Sequence, residues 1–261
     1  MRERPAAPGR RPRVHGGFTL LELLVVMGIL GLLAALLWPV LGRARAAGQR
    51  AVCANNLRHL NLALLMYWQD HDGRFFPFRE QTPEGDLWYW GLETGGGPEG
   101  SRKLDKSRAR LAAYLPQVGG VEICPAFPYG RPYFKQKFEI PSYGYGLNVY
   151  LLDGTPESSR CPVRNAFDIT QPAQTITFAD AAQINTWQAP ASPSRPMLEE
   201  WYYLDGKPPP KFHFRHGGLC NAAFADGSVR SLKPHRLDSR CDGLTGYLEP
   251  GSGESLLRPD K

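Results

Sequence analysis

Gly16-Gly17-Phe18-Thr19-Leu20-Leu21-Glu22 opens an apolar run that continues to Leu41. From Phe18 to Leu41 the chain carries one charge, Glu22. As an α-helix this stretch reaches about 36 Å at 1.5 Å per residue, against a hydrocarbon core of about 30 Å. It is longer than the 7–15 apolar residues, roughly, of a secretory signal core. It therefore reads as a membrane-length helix with a carboxylate near one end. Burying a lone carboxylate in hydrocarbon costs several kcal/mol, so Glu22 marks a functional position. The small residues and basic leader before it predict that the first residues are an address to be cut off.

Three plainer roles suit this segment less well. An ordinary secretory signal cut near Ala44-Arg45-Ala46 calls for a shorter run without an acid. Arg10-Arg11 is followed by Pro12-Arg13-Val14, which does not look like a twin-arginine export signal. An inert anchor leaves Gly-Gly-Phe-Thr-Leu-Leu-Glu without a reason.

The leader also accounts for most of the charge. It holds Arg2, Arg4, Arg10, Arg11 and Arg13 against Glu3, and without it the formal charge falls from +6 to +2. The body is nearly balanced and has no basic block interleaved with aromatics, so no nucleic acid is expected as a partner. The leader arginines predict a cytoplasmic N-terminus and an exported body. Arg43, Arg45 and Arg50, on the far side of the helix, reduce that asymmetry.

Beyond Pro39 the helical pattern continues. Val52 and Cys53 precede Leu57, Leu60, Leu64 and Tyr67, which recur at three- and four-residue steps. The spacing predicts an exposed continuation over 42–72 whose apolar stripe packs on a sheet. Asp72-Gly73 ends it, and Asp70-His71-Asp72-Gly73 reads as a helix terminus rather than a calcium loop. Residues 73–261 then form a globular α+β domain, rich in loops because the chain holds 28 Gly and 24 Pro.

Within that domain the expected elements are short. Arg102–Arg110 is a charged stretch with helical character, and Leu111–Leu115 a short helix or turn. Val121–Pro125 reads as a strand, Tyr143–Asn148 as irregular backbone, and Thr175–Asp180 as a buried strand. The proline-rich span 188–210 reads as a surface loop. Two alternating strands flank Asp226-Gly227, a two-residue hairpin turn signal.

The residues offer few sites for chemistry. No Gly-x-Ser-x-Gly elbow, phosphate loop or zinc-protease helix is present, and the chain is not expected to be an enzyme. The cysteines are Cys53, Cys124, Cys161, Cys220 and Cys241; none forms a Cys-x-x-Cys pair, and their pairing is not assigned. Cys124 and Cys220 read as structural rather than nucleophilic. His213, His216 and Asp226 could bring nitrogen and carboxylate ligands together, although nothing nearby in sequence closes the set. The simpler reading has Asp226 shaping the turn and His216 bonding across the hairpin. The aromatics between Tyr67 and Tyr150 are packing residues or the face of a carbohydrate- or protein-binding site.

Gly17-Phe18-Thr19-Leu20-Leu21-Glu22, followed by Leu23-Leu24-Val25-Val26, resembles the processing signal of type IV prepilins and type II secretion pseudopilins. The resemblance implies cleavage between Gly17 and Phe18 and N-methylation of Phe18 by a prepilin peptidase. It implies assembly with other pilin-like subunits on an inner-membrane platform, with Glu22 setting register by pairing with the α-amino group of Phe18. Pro39 falls where pilins often carry a helix-bending proline. Further on, His216 and Asp226-Gly227, nine residues between them, resemble the C-terminal element of a large family of bacterial prepilin-like proteins. Ala51–Leu57, Ile123-Cys124-Pro125, Ser142–Asn148 and Phe178-Ala179-Asp180 look like that family's internal landmarks. The implied fold is pilin-like α+β: a long N-terminal helix on a small, mostly antiparallel sheet with long loops. Some pseudopilins bind calcium in a C-terminal loop, which by analogy makes Asp205, Asp226 and Asp242 calcium candidates, with His216 a further metal candidate; no other cofactor is implied. The implied location is the inner membrane, crossed once.

Overall fold

The structure is a computed structural model and describes residues 19–95, 97–116, 120–249 and 255–260. Gly17 and Phe18, and with them the expected cleavage point, lie outside the described residues. The fold is α+β, a long N-terminal helix with several small, mostly antiparallel sheets.

Helix α1 runs from Leu20 to Asp70 without interruption at Pro39. The contacts divide the chain between Ala44 and Arg45. In the first unit every side chain from Leu20 to Leu41 is exposed. The helix contains an 18-residue window of mean hydropathy 2.7, long and apolar enough to cross a membrane.

The N-terminus of α1 is capped from its own sequence. Thr19 N–H and Thr19 Oγ1 both donate to Glu22 Oε2 at 2.8 Å, and Glu22 N–H donates to Thr19 Oγ1 at 3.2 Å. Thr-x-x-Glu thus forms a reciprocal capping box. Glu22 therefore has a local structural task as well as an expected assembly role.

In the second unit, Arg45–Asp70 supplies one wall of the core. Cys53, Asn56, Leu57, Leu60, Asn61, Ala63, Leu64 and Trp68 are buried. The stripe is shifted from the one the sequence suggests. Val52 faces solvent at 50% exposure, Tyr67 is half-buried, and Trp68 takes the innermost place of the last turn. The shift follows from the 3.6-residue period, which puts Cys53, Leu57, Leu60, Leu64 and Trp68 on one face. The helix ends as expected: Asp72 and Gly73 adopt φ of 53° and 75°, and Gly73 N–H donates to Trp68 O at 2.6 Å. A side chain at Gly73 would collide with the amide of Asn165, so glycine is required twice over there.

Fifteen short strands follow among the described residues. Glu80–Thr82 (β1), Gly85–Trp88 (β2), Gly91–Thr94 (β3) and Lys103–Asp105 (β4) form an antiparallel meander. Phe134–Lys135 (β5), Tyr145–Asn148 (β6), Ile176–Asp180 (β7), Gln183–Asn185 (β8), Met197–Glu199 (β9) and Tyr203–Leu204 (β10) come next. Phe212–His213 (β11), Cys220–Phe224 (β12), Val229–Leu232 (β13), Arg236–Asp238 (β14) and Thr245–Tyr247 (β15) complete the set. The central sheet has the order β10-β6-β7-β12-β13 and is antiparallel except for the β10–β6 pair. Two three-stranded sheets, β11-β15-β14 and β5-β9-β8, flank it.

The helix docks on the middle of the central sheet through Asn61. Its Nδ2 donates to Phe224 O at 2.8 Å, and its Oδ1 accepts from Thr177 Oγ1 at 2.6 Å. All three residues are buried, so these bonds fix the helix against β7 and β12 in a place where water cannot substitute.

Several local expectations change. Tyr143–Asn148 is not irregular: Tyr145–Asn148 is a fully buried strand pairing β7 and β10. Gly146 lets it fit, because a Cβ there would stand 2.9 Å from that of Ala181. Val121–Pro125 is a chain of turns, with Ile123 N–H bonded to Gly120 O and Phe127 N–H to Cys124 O. The 188–210 span is no plain surface loop, since it contributes the buried strands β9 and β10. Arg102–Arg110 holds β4 and a 3-10 turn over Lys106–Arg108. For β6, β9 and β10, pairing with distant segments outweighs weak local preference. Thr175–Asp180, the Leu111–Leu115 turn and the C-terminal hairpin appear as expected. The hairpin turn is longer than two residues, however. Phe224 O accepts from Gly227 N–H, so Asp226 is the last central residue and Gly227, at φ 89°, takes the left-handed position after it.

Truncating the inner stripe tests this register. We expect Leu60→Ala to cost about 2–5 kcal/mol and Val52→Ala less than about 0.5 kcal/mol, measured by urea unfolding of the detergent-solubilised chain. Equal losses would place the helix in a different rotation.

Candidate functional site

Four residues from four separate segments meet behind the docked helix. Cys53 comes from α1, Cys124 from the turn before Pro125, Asp180 from the end of β7, and His216 from the connection leading into β12. One ligand atom from each lies within 4.8 Å of those of the other three, and all four residues are buried. Cys53 Sγ stands 3.2 Å from Asp180 Oδ1. Cys124 Sγ stands 3.4 Å from His216 Nε2, which is itself 3.5 Å from Asp180 Oδ2.

Neighbouring groups hold these atoms in place. Arg215 donates to Asp180 Oδ1 through Nη2 at 2.8 Å and Nε at 3.2 Å. It also donates to Ala181 O at 3.3 Å and to Gly144 O, while its guanidinium lies 4.7 Å from the centre of the Phe127 ring. The backbone N–H of Asn221 donates to Asp180 Oδ2 at 2.8 Å, and its Nδ2 donates to Cys53 Sγ at 3.3 Å.

The ionisation of the group follows from this arrangement. Burial raises the Asp180 pKa, but the Arg215 charge, His216 and the Asn221 N–H outweigh it and bring it to about 2. Burial likewise opposes ionisation of Cys124, yet the hydrogen bond from Cys53, Arg215 and His216 lower its thiol to about 4. Burial disfavours the charged form of His216, and its bonds to Asp180 and Cys124 reverse that and lift it to about 9. Cys53 moves the other way: burial first, then the bond to Cys124 and the Asp180 charge, push it well above its ordinary value. The reduced group is thus a thiolate–imidazolium pair beside an Asp180–Arg215 ion pair, with Cys53 a neutral donor.

The residues singled out in the sequence are scattered. His216 is in the cluster. Asp226 is exposed at the far end of β12, where Ser228 N–H and Oγ bond its Oδ1 at 2.9 and 2.7 Å. The five-residue strand alone puts it about 14 Å from the cluster end. His213 uses both nitrogens elsewhere, Nε2 with Asp242 at 3.0 Å and Nδ1 with Arg215 at 3.2 Å. Asp205 binds Lys211 Nζ at 2.8 Å. The alternative His213–His216–Asp226 set and the calcium set of Asp205, Asp226 and Asp242 therefore do not assemble, because each acid has its own nearby partner. Asp226 shapes the turn as the simpler reading has it, while His216 bonds to Cys124 and Asp180 rather than across the hairpin. Cys53, Cys124 and Asp180 are the cluster members that sequence patterns did not mark as ligands. Each lies in a sequence landmark, and Asp180 is a charge closing an otherwise apolar strand, which was the available signal.

A second feature is an aromatic cleft of about 330 Å³ lined by Phe78, Trp88, Trp90, Lys137, Trp201 and Tyr202 among others. Trp88 and Trp90 stack at 4.9 Å, and Trp90 stacks on Tyr202 at 4.2 Å. The indole N–H groups of Trp88, Trp90 and Trp201 find no acceptor among the described residues. Other aromatics of the same stretch, Phe76, Tyr89, Phe138, Tyr143 and Tyr145, are core.

Comparison with known proteins reaches the N-terminal segment. Residues 12–38 match the family model of the prokaryotic N-terminal methylation motif. The chain carries a prepilin-like signal. No curated protein and no solved structure matches the chain.

The thiolate–imidazolium pair fixes a pH profile for the reduced, chelator-treated chain. Cys124 titrates near 4 in the fold and near 9 when unfolded, so its contribution is complete above 9 and lost as pH falls through 4. His216 contributes fully below 6.5 and loses its contribution as pH rises through 9. Between 6.5 and 9 the two slopes cancel, and below 6.5 only that of Cys124 remains. The pair alone keeps stability, read from urea midpoints, flat from 6.5 to 9 and then lowers it toward 4 by about 1.4 kcal/mol per pH unit; below 6.5 His213, whose pKa burial lowers, adds a loss of the same sign. Stability that rose on acidification through this window would contradict the ion pair.

Proposed function

We propose that this chain is a structural, non-enzymatic pilin-type subunit. A prepilin peptidase cuts after Gly17 and methylates Phe18. The apolar run Phe18–Leu41 then holds the protein in the cytoplasmic membrane, its N-terminus inside and residues 73–261 outside. From there it joins other pilin-like subunits, on an inner-membrane platform, in a type II secretion or type IV pilus-like filament. The observation that carries this reading is the methylation motif at residues 12–38, set on a helix of membrane-spanning length.

The capping box gives the assembly step a physical form. Thr19 occupies Glu22 Oε2, and among the described residues Oε1 accepts no hydrogen bond. One carboxylate oxygen is thus left for the α-amino group that cleavage creates at Phe18. In low dielectric such a pair is strong, and loss of either partner leaves a buried charge. That asymmetry favours a subunit in the filament over one alone in lipid. Kinship with the large prepilin-like family is supported by its landmarks, Cys53, Cys124, Tyr145, Asp180 and His216, meeting at one place in the fold.

The aromatic cleft favours a second reading, an exported domain that binds carbohydrate or protein, or hydrolyses, and uses the signal only as an anchor. Stacked aromatic rings lining an open cleft suit a planar-faced ligand. Titrating soluble oligosaccharides against tryptophan fluorescence tests it: saturable quenching abolished by Trp90→Ala would favour binding, and a flat response would remove this reading.

Intact mass and N-terminal sequencing of the membrane-extracted chain, coexpressed with its peptidase, test the primary reading. We expect a chain beginning at N-methylated Phe18. An uncut start, or one near Ala47, would overturn the reading. Glu22→Ala should still be cut but should co-assemble poorly with wild-type subunits; normal co-assembly would remove the assembly role of Glu22.

A further inference from the structure

We propose that Cys53, Cys124, Asp180 and His216 form a closed tetrahedral site for a divalent transition-metal ion, with zinc the ion best suited to two sulfurs, one nitrogen and one oxygen. In tetrahedral zinc, bonds of about 2.0–2.3 Å place ligand atoms about 3.3–3.8 Å apart. The edges in this fold are 3.2 Å for Cys53 Sγ to Asp180 Oδ1, 3.4 Å for Cys124 Sγ to His216 Nε2, and 3.5 Å for His216 Nε2 to Asp180 Oδ2. Small side-chain adjustments close the set around one centre. Asp180 can ligate through either oxygen, since Oδ1 faces Cys53 and Oδ2 faces His216.

The surroundings match a metal site in kind. Asn221 Nδ2 donates to the Cys53 sulfur and its backbone N–H to the carboxylate, which fixes both ligands and tempers their charge. Two thiolates and a carboxylate carry three negative charges with His216 neutral. A dication and the adjoining Arg215, salt-bridged to Asp180 at 2.8 Å, cancel them. A buried site of zero net charge avoids the desolvation cost that a bare anionic cluster would carry. All four ligands are buried, which describes a structural ion rather than a catalytic one with an open position. The ion would join α1 to the end of β7, to the 121–127 turns and to the entry of β12. It would thereby replace part of the cohesion that a loop-rich body lacks.

The two sulfurs, within 4.8 Å of each other, have one other use, a Cys53–Cys124 disulfide. Metal analysis separates the two. The full-length chain is purified in detergent with reductant and without chelator, its metal content is measured, and the stripped protein is titrated with cobalt(II). We expect about one ion per chain and the intense visible bands of tetrahedral, sulfur-ligated cobalt. Cys53→Ser, Cys124→Ser and His216→Ala should each abolish the spectrum, while Cys161→Ser, which alters a thiol outside the cluster, should retain it. The wild-type spectrum decides even where a variant fails to fold. Less than about a tenth of an ion per chain after reconstitution, with no cobalt bands, would overturn the proposal. So would a peptide map showing Cys53 and Cys124 joined in a parallel preparation made without reductant and alkylated on extraction. The proposal is independent of the filament reading, because neither result depends on processing at Phe18.

Discussion

The Asp180 carboxylate has no solvent around it, and the body of the protein is arranged to make that tolerable. A buried, unpaired carboxylate is among the costliest groups a fold can hold. Here Arg215 and the Asn221 N–H bind it directly, and Cys53 and His216 stand against its two oxygens. These partners lie on the helix, on the connection before β12 and on β12 itself. Satisfying one acid thus sets the position of three elements against β7. Arg215 extends the same constraint to Gly144 O and Ala181 O, on the segments leading into β6 and out of β7. Removing Asp180 would leave a buried guanidinium in its place, so the charges are mutually obligatory.

The two parts of α1 obey different physics. From Leu23 to Leu41 the helix is apolar all round and its side chains are exposed, as suits lipid or neighbouring helices. From Arg45 onward one face alone is buried, and it is not purely apolar. Asn61 and Cys53 sit among leucines and give the helix directional bonds that fix both its rotation and its level on the sheet. Leucines alone would tolerate sliding; buried hydrogen bonds do not. The same chemistry that makes the body rigid also concentrates sulfur, imidazole and carboxylate at one point.

The sheets show why so much of the body resisted reading. Every described strand has five residues or fewer, and two of the strand pairings are parallel, between segments far apart in sequence. Strands this short carry almost no periodic signal. Tyr145–Asn148 contains a glycine and has the composition of irregular backbone, yet it is central because Gly146 permits close approach of Ala181 and Leu204. Met197–Glu199, set in a proline-rich stretch, is a strand only because β5 and β8 flank it. Val121–Pro125 has the composition of a strand but joins no sheet among the described residues; it turns.

What the sequence determined by itself is local. The prepilin-like signal, the membrane-length apolar run with its single acid, the helix end at Asp72-Gly73 and the Asp226-Gly227 hairpin are each written within a few turns of chain. Their physics, membrane thickness, period and left-handed backbone, needs no distant partner. What the tertiary structure alone decided is the cluster. Cys53 and Asp180 are 127 residues apart and Cys124 and His216 are 92 apart. No spacing rule connects them, and the acid that resembled a ligand, Asp226, falls at the wrong end of a strand. Which residues meet across such separations depends on how the whole core packs, a sum over many weak contacts that no single segment encodes.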